Sequence, residues 1–250
     1  MNPIKKILTI FSSIFIFLFA GFFLIIFIFW NFVFDLPDHE QLINYEPPML
    51  TRVYASDGRL ISEYAAEQRS YVPIDSIPPL IIDSFLAAED KNFYDHIGID
   101  FTGIIRALKR NINNISGRPE GASTITQQVA KNFFLSREIS YKRKIKEILL
   151  ALRIEQTLTK NKILELYLNE IYLGYRSYGV AAASLNYFNK TLNELTIAEA
   201  AYLAALPKAP NNYHPIKNKK AAVKRRAAVK PASPSIPEKH HHPRLHWYGR

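Results

Sequence analysis

The sequence predicts a mainly α-helical protein with one transmembrane helix in front of it and a small β-hairpin close to the membrane. Three observations support this prediction. Residues 7–34 contain no charged side chain and are rich in Phe, Ile and Leu. Residues 51–64 alternate around Asp57-Gly58, which is a strong hairpin signal. From residue 80 onward, apolar side chains recur at helical spacing.

The apolar segment at residues 7–34 is predicted to be an uncleaved signal anchor. As a helix it would reach about 40 Å, which exceeds the ~30 Å hydrocarbon core of a bilayer. Lys5 and Lys6 precede it, so residues 1–6 should stay in the cytoplasm and the body should lie outside. A cleaved signal peptide is the alternative, but the run is longer than a typical apolar signal core. Residues 35–50 form a polar linker.

The body shows six segments with helical periodicity and no internal repeat. Two of them open with a capping box, Thr124 with Gln127 and Thr196 with Glu199, in which side chains satisfy the first amides of a helix. Pro79 stands at a favourable first position of the first segment. The predicted helices span residues 80–91, 101–112, 124–135, 141–158, 161–173 and 196–206.

Composition limits the possible chemistry. The chain has 250 residues, enough for one sizeable domain, and no cysteine, which excludes disulfides, Cys-based zinc sites and thiol nucleophiles. The net charge of +10 is concentrated in residues 217–250, which hold 10 Lys and Arg against one Glu. We therefore predict a basic, disordered tail there and no nucleic-acid-binding body. His240, His241 and His242 form a solvated run or, alternatively, a metal site.

An acidic cluster follows the first predicted helix. Glu89, Asp90, Asp95 and Asp100 surround His96 within twelve residues. A helix C-terminus carries partial negative charge and raises the pKa of a carboxylate placed there. A partly buried carboxylate at this position would be a plausible general base. The alternative is a solvated helix end with a histidine cap.

Two further segments could bind an anion. Residues 121–132 place small and hydroxyl side chains at a helix start, where free amides suit phosphate, with Lys131 two turns on; the alternative is an ordinary N-cap. Residues 137–147 place cations in the first turn of a helix, against its dipole, which indicates either an anionic ligand or a solvated basic face. Glu147 could simply be an ion-pair partner of Arg143 and Lys144. Residues 162–174 are interpreted as a structural helix.

Together these segments resemble the peptidoglycan glycosyltransferase domain of class A penicillin-binding proteins, the family 51 glycosyltransferases, over residues 50–215. Five motifs occur in the order and spacing of that family: EDKNFYDHIGID, GASTITQQVAKN, RKIKE, KILELYLNEIYLG and LTIAEAAYLAALPKAPNNYHP. The resemblance implies a lysozyme-like lobe with a smaller lobe that dips into the membrane. It places the glycosyltransferase domain at residues 51–216.

The resemblance also implies the roles of individual residues. Glu89 would be the general base that deprotonates the 4-hydroxyl of the acceptor GlcNAc, and Glu147 would assist at the donor. Lys131, Arg143 and Lys144 would hold the donor diphosphate. The other substrate-binding candidates are Asp90, Phe93, His96, Ser123, Thr124, Gln127, Gln128 and Asn132.

The implied reaction is the polymerisation of lipid II into β-1,4 glycan strands, with inversion and release of undecaprenyl diphosphate. A divalent cation, Mg²⁺ or Mn²⁺, would act near the diphosphate, although no ligands for it are identified. The implied partners are lipid II, the lipid-linked glycan strand, the bilayer and proteins of cell-wall synthesis. The enzyme would sit on the outer side of the bacterial cytoplasmic membrane.

The sequence departs from the family in three ways. Ile139 stands where relatives often carry arginine, and Ala122 replaces the second glycine of the usual triplet. The chain lacks the S-x-x-K and K-T-G motifs of a transpeptidase. It is therefore a monofunctional enzyme or a fragment of a bifunctional one, and the hairpin linker and residues 207–215 favour a fragment. A glycan-cleaving enzyme and an inactive, membrane-tethered fragment that binds lipid precursor or a partner stay open as alternatives.

Overall fold

The computed structural model describes residues 11–24, 36–38, 40–43, 45, 51–57, 59–64, 68–113, 121–136, 138, 140–213 and 218–229. These residues are mainly helical, which confirms the predicted class. Helix α1 covers residues 11–24. The other helices are α2 (Pro79–Glu89), α3 (Phe101–Asn113), α4 (Ile125–Phe134), α5 (Tyr141–Thr157), α6 (Lys160–Glu170), α7 (Val180–Phe188), α8 (Ile197–Ala205) and α9 (Lys219–Ala228).

The strands form two small sheets. β1 (Thr51–Tyr54) pairs antiparallel with β2 (Leu60–Tyr64), which confirms the hairpin predicted around Asp57. β3 (Gln68–Arg69) pairs in parallel with β4 (Ser177–Tyr178). The second sheet joins the start of the body to the segment between α6 and α7.

Helix α1 is the described part of the predicted transmembrane segment at residues 7–34. Its large apolar side chains are exposed, Phe17 to 80%. Within the residues that the structure describes, no helix is both long and apolar enough to cross a bilayer. Both ends of the predicted segment, the tail at 1–6 and half of the linker at 35–50 lie outside those residues, so the anchor stays a prediction.

The predicted helices agree with α2 to α6 and α8, except at one end. The sequence pattern extends the fifth helix to residue 173, but α6 ends at Glu170, where the amide of Ile171 donates to the carbonyl of Tyr167. The chain then turns so that Tyr172 pairs with Tyr178. No sequence pattern predicts helix α7.

Helix α9 corrects the prediction that residues 217–250 are disordered. Residues 219–228 are helical and pack on α8, and Ala222 and Val229 are buried. The repeated alanines have high helix propensity, and packing on α8 supplies the stabilisation that the sequence pattern does not reveal. Residues 230–250 lie outside the described residues.

The core is built around α6, which is apolar on most sides. Ile163, Leu164, Leu166, Tyr167 and Leu168 are all fully buried. Helix α4 packs against α5 and α6, while α2 packs against α8 and α8 against α9. The C-terminal end of α2, the start of α4, the loop after α8 and helix α9 consequently meet at one cleft.

Helix α3 lies at the rim of this cleft and exposes an apolar face. Its polar residues and its apolar residues occupy different sides of the helix. The exposed apolar side chains are Phe101, Ile104, Ile105, Leu108 and Ile112. Only Gly103 and Ala107 of this helix are buried.

Candidate active site

The cleft between α2, α4 and α9 has a volume of about 640 Å³ and a polar lining. Its acidic residues come from the end of α2 and the start of α3, and its neutral polar residues come from the start of α4. Its cations come from five segments: the residues after α2, α3, α4, the loop after α8 and α9. These side chains belong to Glu89, Asp90, Lys91, Asp100, Arg106, Arg110, Ser123, Thr124, Gln128, Lys131, Lys208 and Arg225.

Glu89 is the last residue of α2 and is partly exposed to the cleft. The side-chain amide of Gln128 donates a hydrogen bond to its carboxylate at 2.9 Å. Burial raises the pKa of Glu89, and the Gln128 hydrogen bond and the charges of Arg225, Lys208 and Lys131 only partly offset this effect. The result is a carboxylate that binds a proton more readily than an exposed glutamate, as a general base must.

Asp90 and His96 are buried behind Glu89. The amide of Gly98 donates to Nδ1 of His96 at 3.0 Å, so the ring proton is on Nε2, which donates to Asp90 at 3.0 Å. Asp90 also accepts the amide of Ile125 at 3.0 Å. All these polar groups are used within the protein, and they tie the loop after α2 to the start of α4.

The start of α4 is satisfied by protein groups. Thr124 is the N-cap of a capping box with Gln127, as predicted, and its hydroxyl donates to the carbonyl of Gly98 at 2.7 Å. The Asp90 carboxylate takes the amide of Ile125, and Thr124 takes the amide of Gln127. The ordinary N-cap therefore describes this helix start, and the cations of the cleft are the charged groups that could bind an anion.

Lys131 is the cleft cation whose surroundings best suit the binding of an anionic ligand. Burial lowers its pKa, and the charges of Arg143 and Lys144 lower it further against the opposing effect of Glu147 and Glu89. Within the part of the chain that the structure describes, its ammonium group makes no hydrogen bond or ion pair. A partly desolvated ammonium group without a partner would gain strongly from an anionic ligand.

Glu147 does not line the cleft and instead contacts two cations, Arg143 and Lys144. It is 3% exposed and accepts Lys144 Nζ and, at 3.3 Å, Arg143 Nη1. Lys144 also donates to Ser123 Oγ at 2.9 Å and to Gln127 Oε1 at 3.4 Å. The ion pairs that the spacing of these residues allowed are thus formed, and Glu147 holds both cations in place.

Seven of the sequence-predicted residues do not line the cleft, namely Phe93, His96, Gln127, Asn132, Arg143, Lys144 and Glu147. Phe93 is 1% exposed and belongs to the core, with the ammonium group of Lys160 4.5 Å from its ring centroid. Asn132 is exposed on α4 and does not line the cleft. Of the segments that depart from the family, Ala122 lines the cleft, whereas Ile139 lies outside the described residues.

The sequence prediction missed five cleft cations, Lys91, Arg106, Arg110, Lys208 and Arg225. Arg106 reaches the cleft from α3 and donates to Asp100 at 3.4 Å, while Lys208 comes from the loop after α8 and Arg225 from α9. The PKAPNN segment was among the recognised motifs and could have pointed to Lys208. No local pattern singled out Arg225, because it lay in the segment that was expected to be disordered.

The cleft offers few ligands for the predicted divalent cation. Mg²⁺ and Mn²⁺ bind carboxylate and other oxygen ligands. Within the described residues no group of three His, Asp or Glu side chains could hold a metal ion. Asp90 and Asp100 already accept several hydrogen bonds from the protein. The described residues of the cleft therefore do not by themselves form a metal site, and the divalent cation stays a prediction.

Comparisons with known proteins agree with the sequence motifs. The family model described as Transglycosylase matches residues 57–232. Penicillin-binding protein 1A of Rickettsia typhi is 56% identical over 194 residues, covering 77% of this chain and 25% of the relative. Penicillin-binding protein 1A of Escherichia coli is 50% identical over 196 residues, covering 78% and 23%. The chain thus spans about a quarter of the length of these relatives.

A solved structure matches as well. The crystal structure of penicillin-binding protein 1A from Haemophilus influenzae is 31% identical in sequence, with a TM-score of 0.38, covering 74% of this chain and 18% of that one. The family follows from the sequence matches, since the family model covers well over half of the chain. The chain belongs to the transglycosylase family, as its five ordered motifs predict.

Proposed function

We propose that this chain is a membrane-anchored peptidoglycan glycosyltransferase that polymerises lipid II into β-1,4 glycan strands. The observation that supports it most is the position of Glu89, a carboxylate with a raised pKa, in the same cleft as Lys131, Lys208 and Arg225. A base and a separate group of cations are what the transfer of a sugar from a diphosphate to an alcohol requires.

Glu89 acts on the acceptor in this mechanism. It removes the proton of the 4-hydroxyl while that oxygen attacks the anomeric carbon of the donor sugar. The bond from this carbon to the diphosphate breaks as the new bond forms on the opposite face, so the configuration inverts. Gln128, which donates to Glu89, fixes the orientation of the carboxylate.

The cations act on the leaving group. Undecaprenyl diphosphate gains negative charge as the sugar leaves, and cations fixed in advance stabilise that charge. Lys131 lines the cleft, while Arg143 and Lys144 add positive charge behind it and are themselves held by Glu147. Glu147 thus assists the donor through the cations it orients. A divalent cation would draw most of its ligands from the diphosphate and solvent, and no step depends on it here.

We also propose that the catalytic domain works at the outer surface of the cytoplasmic membrane, tethered by residues 7–34. The exposed apolar face of α3, with Phe101 and Leu108, supports contact with lipid close to the cleft. Lipid-linked donor and acceptor would then enter the cleft from the bilayer. Proteins of cell-wall synthesis are the expected further partners, and no nucleic acid is expected.

Glycan cleavage is the second candidate function. A carboxylic acid with a raised pKa also suits protonation of a glycosidic oxygen, and Glu89 has this property. Cleavage needs no diphosphate-binding cations, so Lys131, Lys208 and Arg225 favour synthesis.

One experiment separates the two functions. The detergent-solubilised chain is incubated with purified lipid II and, separately, with finished peptidoglycan. Synthesis predicts glycan polymers and undecaprenyl diphosphate from lipid II and no soluble muropeptides from peptidoglycan. Soluble muropeptides without polymer would overturn the proposal in favour of cleavage. A chain that does neither would be a binding fragment.

A further inference from the structure

The ion pair between Lys160, the first residue of α6, and Glu155, in the last turns of α5, contacts both segments that hold Glu89. The side chain of Lys160 is 21% exposed and that of Glu155 is 8% exposed. Lys160 Nζ lies 2.7 Å from Glu155 Oε1. Neither residue lines the cleft or belongs to the machinery described above. The contacts of this pair nevertheless extend to the loop after α2 and to helix α4.

Lys160 contacts the loop that follows Glu89. Its ammonium group donates to the carbonyl of His96 at 2.6 Å and lies 4.5 Å from the ring centroid of Phe93. The imidazole of His96 in turn donates to Asp90, the residue next to Glu89. A charge-assisted bond to a backbone carbonyl fixes the loop more firmly than a neutral one would.

Glu155 contacts the helix that supplies the partner of Glu89. The hydroxyl of Thr126, which is fully buried, donates to Glu155 Oε1 at 2.5 Å. Thr126 lies in the first turn of α4, two residues before Gln128, whose side chain donates to Glu89. One carboxylate oxygen therefore accepts from both Thr126 and Lys160.

The loop also lies too close to α5 to move independently of it. Gly98 has φ +94, and a Cβ at this position would lie 3.0 Å from the carbonyl oxygen of Ala151 and 3.1 Å from Cγ of Glu155. Only glycine allows both this backbone conformation and this approach. The loop, α4 and the start of α6 are thus joined around one ion pair.

We infer that Lys160 and Glu155 are positioning residues, which hold the loop after α2 and helix α4 together so that Glu89 faces the acceptor beside Gln128. The inference rests on the proposed function of Glu89. Neither residue touches substrate; both act through His96, Asp90 and Thr126. Misplacement of a reacting group by about 1 Å can cost about 10²-fold in rate, so loosening this pair should lower kcat strongly.

The chain offers a matched control on the same helix. Lys162 forms an ion pair with Glu165, also at 2.7 Å, and is 32% exposed. It contacts Tyr71 and not the loop after α2. Lys160→Met and Lys162→Met therefore each remove one partly buried Lys–Glu ion pair in which the lysine belongs to α6. Only Lys160→Met should disturb Glu89.

The experiment measures polymerisation of lipid II by the full chain in detergent across pH, together with hydrogen exchange of the loop amides. Lys160→Met should lower kcat by about 10²-fold with KM changed less than about threefold. The acid limb of its pH profile should move to lower pH, because a looser carboxylate is better solvated. The amide of Gly98 should exchange faster. Lys160→Arg should recover most of the rate, and Lys162→Met should resemble the wild type.

Equal losses of kcat in Lys160→Met and Lys162→Met, with the acid limb unmoved, would overturn the inference and leave the pair a structural contact. An unchanged rate in Lys160→Met would overturn it as well. If that variant does not fold, Thr126→Val removes one bond to Glu155 without removing a charge, and unchanged kcat and exchange there would count against the inference. The exchange measurement needs no substrate, so failure of the proposed function, seen as an inactive wild type, is distinguished from failure of this inference.

Discussion

The end of α2 and the first turns of α5 each carry a glutamate that is largely shielded from solvent, Glu89 and Glu147. The two carboxylates differ in whether a cation contacts them. Glu89 accepts one hydrogen bond from the neutral amide of Gln128, and the cations that influence it act without contact. Glu147 is in direct contact with Lys144 and Arg143. Burial without an ion pair raises the pKa of Glu89, whereas Glu147 forms ion pairs with two cations and orients them.

The largest difference should appear in catalysis. Glu89→Gln keeps the size of the side chain and its bond with Gln128 but removes the base, so polymerisation of lipid II should fall by about 10²–10⁴-fold. The circular dichroism spectrum should be unchanged. Asp95→Asn, in the same loop but exposed, is the matched control and should keep its activity within about twofold. Full activity in Glu89→Gln would remove Glu89 from the mechanism.

The second difference should appear in stability. Glu147→Gln leaves two partly buried cations without their counter-charge, and the free energy of unfolding should fall by about 2 kcal/mol, discounted for the exposure of Lys144. Denaturant unfolding measures this loss. In a Lys144→Met background the loss should be smaller, because one of the uncompensated charges is gone. Equal losses in both backgrounds would show that the ion pair does not stabilise the fold.

The third prediction concerns stability and pH at Glu89. Its pKa is raised in the folded state, so its contribution to stability is present below the ordinary value of 4.5 and is lost as pH rises through the folded-state pKa. Glu89→Gln removes that loss, so the free energy of unfolding of this variant at pH 7 should exceed that of the wild type. Denaturant unfolding at several pH values measures the difference, and the two proteins should converge near pH 4. A variant that is less stable at pH 7 would contradict the raised pKa.

The smallest effect should come from a cation that acts on Glu89 without contact. The charge of Arg225 lowers the pKa of Glu89, so Arg225→Met should raise it and move the acid limb of kcat/KM to higher pH. The neighbouring Lys224→Met, on the exposed side of α9, should leave the limb in place. Equal displacements of the limb in the two variants would mean that only the net charge of α9 matters.

The sequence predicted those parts of the fold that have a local signal. The capping boxes at Thr124 and Thr196 located the starts of α4 and α8, and Asp57 located the hairpin. Helix α7 has no polar face to produce a periodic pattern, since Val180 and the following alanines are buried. Helix α9 depends on packing against α8, which no local pattern records.

The same distinction applies to the site. Glu89 and Lys131 were found because each stands in a dense local motif. Lys208 and Arg225 join them only through the packing of α2 on α8 and of α8 on α9. Phe93 lies in the core and not in the cleft, where it contacts Lys160, a residue that is far away in sequence.

The packing of α9 also determines when the cleft is completed during translation of the chain. A chain emerges from its N-terminal end, so the wall formed by Glu89, Gln128 and Lys131 is complete while Arg225 is still to be made. Contacts between distant segments form late because a long loop must close first. The cleft therefore receives its last cation, Arg225, only when α9 docks on α8. A nascent chain that stops before α9 has the proposed general base Glu89 but lacks Arg225.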